Sequence, residues 1–255
     1  MNLNKKNKDN ERFKFERPGL DFPLYKDNIP LKKWIVAILV IIGVFVTTFI
    51  PINLFIIRGP LVCLIPLLGY GYLSNFNYKK LLAKFQKKDV LVIIILYIAY
   101  LGYGAIMNMI FLKLGVVHLD TNLTNQNITS PLYFCIYLIQ LLGEELFRTL
   151  TFLFVLTMVY KYLSRKIAII IGLFVSSIIF GLLHYEAYGS LLQIILIQGL
   201  GISFLTLGYI KTKNIAVSYI IHFIVDTMGF ISVFMTHHSA HTLINHTISL
   251  LMALL

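Results

Sequence analysis

The sequence predicts an all-α protein, a polytopic transmembrane bundle of about eight spans. Three observations predict it. Of 255 residues, 58% are hydrophobic and 13% charged, and the mean hydropathy is +0.81, more apolar surface than a soluble core of this size buries. Apolar runs of about bilayer length recur along the chain. The basic residues also alternate: with the amino terminus cytoplasmic, nineteen of the 22 Lys and Arg fall on inner segments and only Arg58 and Lys113 on outer ones, a strong positive-inside bias.

Residues 1–31 read as a cytoplasmic, basic, disordered tail. Lys5, Lys6, Lys8, Arg12, Lys14, Arg17 and Lys26 are interspersed with Pro18, Pro23 and Pro30, a composition that favours disorder and attraction to anionic lipid. It contains no short apolar segment followed by a small-residue cleavage site, so a cleaved signal peptide is not expected. Residues 32–255 read as one transmembrane helical domain, with spans near 32–50, 55–74, 89–112, 131–160, 166–184, 190–210, 214–235 and 241–255. Pro60 and Pro66 are tolerated in the second as kinks. Residues 77–88 read as a short basic amphipathic helix on the inner surface, and 118–130 as an outer loop rich in Asn and Thr. Cys63 and Cys135 have no metal or redox spacing and read as small buried hydrophobes. The net charge of +11 is spread among the spans, so the bilayer rather than nucleic acid is the expected partner.

Four of the 11 acidic residues, Glu144, Glu145, Glu186 and Asp226, lie outside the tail and the span edges. A charge at the centre of a membrane helix costs about 2.5–3.5 kcal/mol on insertion scales, so such residues mark function by default. Glu144 and Arg148 are four apart, as are Phe180 and His184, and His222 and Asp226; on a helix each pair shares a face. Glu145 is turned about 100° from Glu144, so at most one carboxylate points straight into a shared centre. A folding ion pair at Glu144 and Arg148, an interfacial His184 and a structural His222–Asp226 bond are the alternatives for each pair alone. Three pairs on successive long helices favour one functional site. Tyr185 and Glu186 read as solvated loop, Ser176 and Ser177 as helix-packing residues, and His237, His238, His241 and His246 as an exposed polar turn.

A carboxylate with imidazoles in a protected cavity suits activation of water, directly or on a metal, and a second imidazole can stabilise an oxyanion. His-Glu-x-x-His, Gly-x-Ser-x-Gly and Gly-x-Gly-Asp are absent, which leaves serine or cysteine nucleophiles without support.

Glu144-Glu145 with Arg148, Phe180-x-x-x-His184 and His222-x-x-x-Asp226, about 38 residues apart, resemble the three motifs of the CPBP (CAAX-processing and bacteriocin-processing, or Abi) intramembrane protease family over roughly 131–235. The resemblance implies a glutamate-dependent endopeptidase acting on membrane-bound or amphipathic peptides. It also implies water activation by Glu144, Glu145 and His184, and oxyanion binding by His222 and Asp226, with Arg148 and Phe180 in support. A zinc ion held by His184, His222 and Glu144 is left open. The chain departs from the family's pattern in two places: two residues rather than three separate Glu145 from Arg148, and Thr149 stands where Gly is common; Asp226 is a variation the family accepts in place of Asn.

An intramembrane endopeptidase is therefore expected. Two other readings stay open: a catalytically silent family member giving bacteriocin self-immunity or regulating a membrane-protein partner, and a proton- or cation-coupled transporter. The last predicts paired interrupted helices in two related halves, which the sequence does not display.

Overall fold

The computed structural model describes residues 12–27, 29–51, 54–115, 131–185 and 190–228, and among them regular structure is helical with no strand. Seven helices follow in order: α1 Leu31–Thr48, α2 Phe55–Ser74, α3 Lys87–Lys113, α4 Pro131–Tyr160, α5 Arg165–Leu182, α6 Leu191–Thr212 and α7 Ile215–Met228. Five of these (α1, α2, α3, α5 and α6) are long and apolar enough to cross a membrane. The expected eighth span, the 118–130 loop, Glu186 and the four late histidines lie outside the described residues.

The packing explains why the helices sit where they do. α1 buries a single stripe, Trp34, Ala37, Val40, Val44 and Thr47, and exposes Ile35, Leu39, Ile42 and Val46 on the other face, the arrangement of a span between protein and lipid. α2 and α4 run side by side in the same direction and touch through small residues. A β-carbon on Gly143 would come within 2.5 Å of the Cys63 backbone, so only Gly permits this approach. α4 is the central helix, meeting α1, α2, α5 and α6. Its 30 residues span about 45 Å, half as long again as a hydrocarbon core of about 30 Å.

α6 is not a uniform helix. Leu191–Gln193 is α, Ile194–Leu200 is π and Gly201–Thr212 is α again. The widened turn packs on the end of α5, where a β-carbon on Gly181 would lie 2.4 Å from the Ile194 carbonyl oxygen. The Tyr103 hydroxyl of α3 also donates to the Leu196 carbonyl at 2.6 Å, giving one of the carbonyls of this turn a partner.

Three expectations need correction. The first is the disordered tail: residues 12–27 are folded against the bundle. Phe22, Leu24 and Tyr25 are buried. The Glu16 carboxylate accepts from both Arg165 nitrogens at 2.6 and 2.7 Å and from Lys213 Nζ at 2.7 Å. The composition predicts a solvated segment, whereas its carboxylates have cationic partners at the start of α5 and in the α6–α7 turn. Burial alone would raise the Glu16 carboxyl, but the Arg165 and Lys213 hydrogen bonds outweigh it and hold the group at about 2. Asp21, also raised by burial, is brought to about 2 by Tyr25 and Arg165.

The second correction is the basic amphipathic helix. Tyr78–Leu81 is one 3-10 turn, and Leu82 then pairs with Asn214 in an isolated antiparallel bridge. The Ala83 carbonyl accepts from Asn214 Nδ2 at 2.7 Å, so the stretch is held extended beside the α6–α7 turn. The third is Cys135, which is exposed where the sequence predicts burial; Cys63 is buried.

Candidate active site

The site forms where the middle of α4 faces α7. Both glutamates belong to it, but in different environments. The Glu145 side chain is 0% exposed and that of Glu144 is 14% exposed. One helical step of about 100° carries Glu145 into the core and leaves Glu144 at the edge of an accessible space.

Glu145 is held on all sides. Its Oε2 is ion-paired with Arg148 Nη2 and accepts from the Ser218 hydroxyl, and its Oε1 meets His222 Nδ1 at 2.9 Å. Arg148 in turn donates from Nη1 to the Ile202 carbonyl and the Thr206 hydroxyl, both at 3.0 Å, and from Nη2 to Ser218 Oγ. Ser218 therefore accepts from the guanidinium and donates to the carboxylate. This corrects the pairing expected at four-residue spacing: Arg148 pairs with Glu145, three residues before it, rather than with Glu144. Two fully buried charges of opposite sign with hydrogen-bonded partners satisfy one another.

The consequence falls on His222. A carboxylate can only accept, so Nδ1 carries a hydrogen and Nε2 is the nitrogen turned to the open side. There Nε2 lies 3.9 Å from Glu144 Oε2 and 3.7 Å from Asp226 Oδ2. Both separations exceed a direct hydrogen bond. Each flanking carboxylate has its own donor from α4. Gln140 Nε2 donates to Glu144 Oε1 at 2.8 Å, and the Tyr137 hydroxyl donates to Asp226 Oδ2 at 2.7 Å.

Phe180 joins the second imidazole to this group. Its buried ring lies 5.0 Å from the His184 ring and 6.0 Å, edge-on, from that of His222. His184 sits two residues past the last residue of α5 rather than on the helix, and its Nδ1 is 3.2 Å from the Phe180 carbonyl. The last turn is tightened: Leu183 N donates to Phe180 O and His184 N to Gly181 O, as at many helix ends. The carbonyl again fixes the tautomer, leaving Nε2 as the basic nitrogen of His184.

Among the described residues no three His, Cys, Asp or Glu side chains gather with metal-holding geometry.

Sequence reasoning missed Ser218, Thr206, Gln140 and Tyr137. Ser218 and Gln140 had a readable signal, since each stands one four-residue step before a named residue, His222 and Glu144. Tyr137 precedes Gln140 by three residues on the same face. Thr206 and the Ile202 carbonyl had none, because they belong to a helix without any motif.

Residues 126–228 match the family model described as Rce1-like, type II CAAX prenyl endopeptidase Rce1-like. That stretch holds α4 through α7 and every site residue above. No curated protein and no solved structure matches the chain.

Proposed function

Taking as premise that residues 126–228 belong to the CPBP/CAAX protease family, we propose that this chain is an intramembrane endopeptidase. Its substrates are membrane-bound or amphipathic peptides, and its nucleophile is a water activated by Glu144. The observation that carries the reading is the arrangement around His222. Glu145 fixes Nδ1 from the buried side, and Glu144 and Asp226 bound the space in front of Nε2.

In this reading Glu144 is the general base. It is the carboxylate next to accessible space, and its hydrogen-bond partner is the neutral Gln140 amide. Glu145, by contrast, is committed to Arg148, Ser218 and His222. A water between Glu144 and the scissile carbonyl loses its proton to Glu144 as its oxygen attacks the carbon. The carbonyl becomes a tetrahedral oxyanion, and His222, protonated at Nε2, donates to it. The proton held by Glu144 then passes to the leaving nitrogen, and the C–N bond breaks. His184, with Nε2 as its basic nitrogen, assists the water from the other side. Glu145 and Arg148 are positioning residues behind His222.

The membrane setting supports this reading. The four basic segments meet at one end of the bundle, where Arg17, Lys80, Arg165, Lys211 and Lys213 bond to the folded amino-terminal segment or to the neighbouring turns. We place that end, and with it the amino terminus, in the cytoplasm of a cell whose plasma membrane the bundle spans.

The test is processing of a farnesylated Cys-aliphatic-aliphatic-X peptide and of amphipathic peptides by the full chain in proteoliposomes, read by mass spectrometry. Wild type is expected to release a product that Glu144→Ala, Glu145→Ala and His184→Ala do not. Unchanged cleavage by all three variants would sink the reading, and absence of any wild-type product would favour a scaffold or immunity role on the same fold.

A further inference from the structure

Asp226 stands at a position where the resembling family accepts either Asn or Asp. A carboxylate accepts but does not donate, so it lacks the N–H an Asn would offer, and its charge would oppose an oxyanion placed beside it. A donor reaches this carboxylate from another helix. Tyr137 on α4 gives its hydroxyl hydrogen to Asp226 Oδ2 at 2.7 Å, and this same oxygen is 3.7 Å from His222 Nε2. Asp226 is 32% exposed, so without that bond its carboxyl would be free to rotate toward the accessible side. Seven residues, about two turns, separate Tyr137 from Glu144, so both project from one face of α4, with Gln140 between them holding Glu144.

Resting on the proteolytic reading above, we propose that Tyr137 is a positioning residue of the reaction: its hydroxyl holds the Asp226 carboxylate oxygen in place 3.7 Å from His222 Nε2. With the phenol on Oδ2, the carboxylate is fixed beside the imidazole rather than free to turn into the space an oxyanion would occupy. The bland alternative is a simple tie between α4 and α7. Tyr219 already provides such a tie, donating to the Leu138 carbonyl at 3.2 Å without touching Asp226, and it serves as the control.

Tyr137 and Asp226 should then be coupled in a way that a structural tie would not show. In the full chain labelled with 15N-histidine in detergent micelles, the His222 ring signals are assigned by their loss in His222→Asn. Tyr137→Phe is expected to move them and Tyr219→Phe to leave them in place. In an Asp226→Asn background, where the amide supplies its own donor, Tyr137→Phe is expected to have no further effect. On cleavage of the farnesylated peptide, Tyr137→Phe should lower kcat about tenfold, the loss of one hydrogen bond to a charged group. KM should stay within roughly twofold, and the double variant should cleave no more slowly than Asp226→Asn alone. Unmoved His222 signals in Tyr137→Phe, or equal shifts in both backgrounds, would overturn the proposal. If wild type cleaves neither class of peptide, the proteolytic reading fails by itself, and the histidine signals still decide whether Tyr137 positions His222 through Asp226.

Discussion

At the scale of single residues, the two adjacent glutamates carry different loads. Glu145 completes a buried set with Arg148, Ser218, Thr206 and His222, in which removing one partner strands another charge. Arg148→Met should therefore cost about 3–5 kcal/mol of stability, read as a lowered unfolding midpoint in detergent. Of this set the sequence marks Glu145, Arg148 and His222 as belonging together, because charges in an apolar run are too costly to persist without partners or a task. It does not say which glutamate faces inward. That depends on a rotation of about 100°, set by the contact of Gly143 with Cys63 and by the bonds from Arg148 to α6. The short spacing between Glu145 and Arg148, a departure at the level of the motif, becomes a three-residue ion pair in the structure.

Among the elements, α4 matters most, and its register depends on the small-residue crossing with α2. With the Cys63 backbone 2.5 Å from a β-carbon at Gly143, Gly143→Ala must push the two helices apart. The expected cost is about 1–3 kcal/mol, as for other overpacked interiors, together with a loss of peptide cleavage as Glu144 turns away from His222. Thermal unfolding and cleavage measured on the same preparation check it, and unchanged values in both would refute it. Element positions are readable to within a few residues because apolar runs of bilayer length are long and unambiguous. Two features are not. The π turn at Ile194–Leu200 arises from packing on Gly181 and has no periodic signature. The 77–88 segment follows a basic amphipathic pattern, yet its backbone is drawn out by Asn214, a partner more than a hundred residues away.

For the whole molecule, the folded amino-terminal segment ties together turns that the sequence leaves far apart. Glu16 joins Arg165 at the start of α5 to Lys213 in the α6–α7 turn, and α7 begins shortly after Lys213. The segment's composition is that of a solvated tail, and its burial follows from partners that only the fold assembles. A pH dependence follows. Glu16 and Asp21 have folded values of about 2 against ordinary values of 4.5 and 3.8. Their depressed carboxyls stabilise the fold fully above about pH 4.5, and that contribution is lost as pH falls toward 2. Unfolding midpoints in detergent from pH 6 to 3 should decline in wild type and decline less in Glu16→Gln; equal slopes would contradict the assignment. At the same scale, in the proposed reading the bundle places one partly exposed carboxylate, Glu144, before His222. The most direct measurement is farnesylated-peptide cleavage by Glu144→Gln in proteoliposomes, with its unfolding midpoint taken in parallel. Cleavage is expected to fall by roughly a hundredfold or more while the midpoint stays within about 2 °C of wild type. Cleavage by Glu144→Gln at the wild-type rate would contradict this assignment of the base.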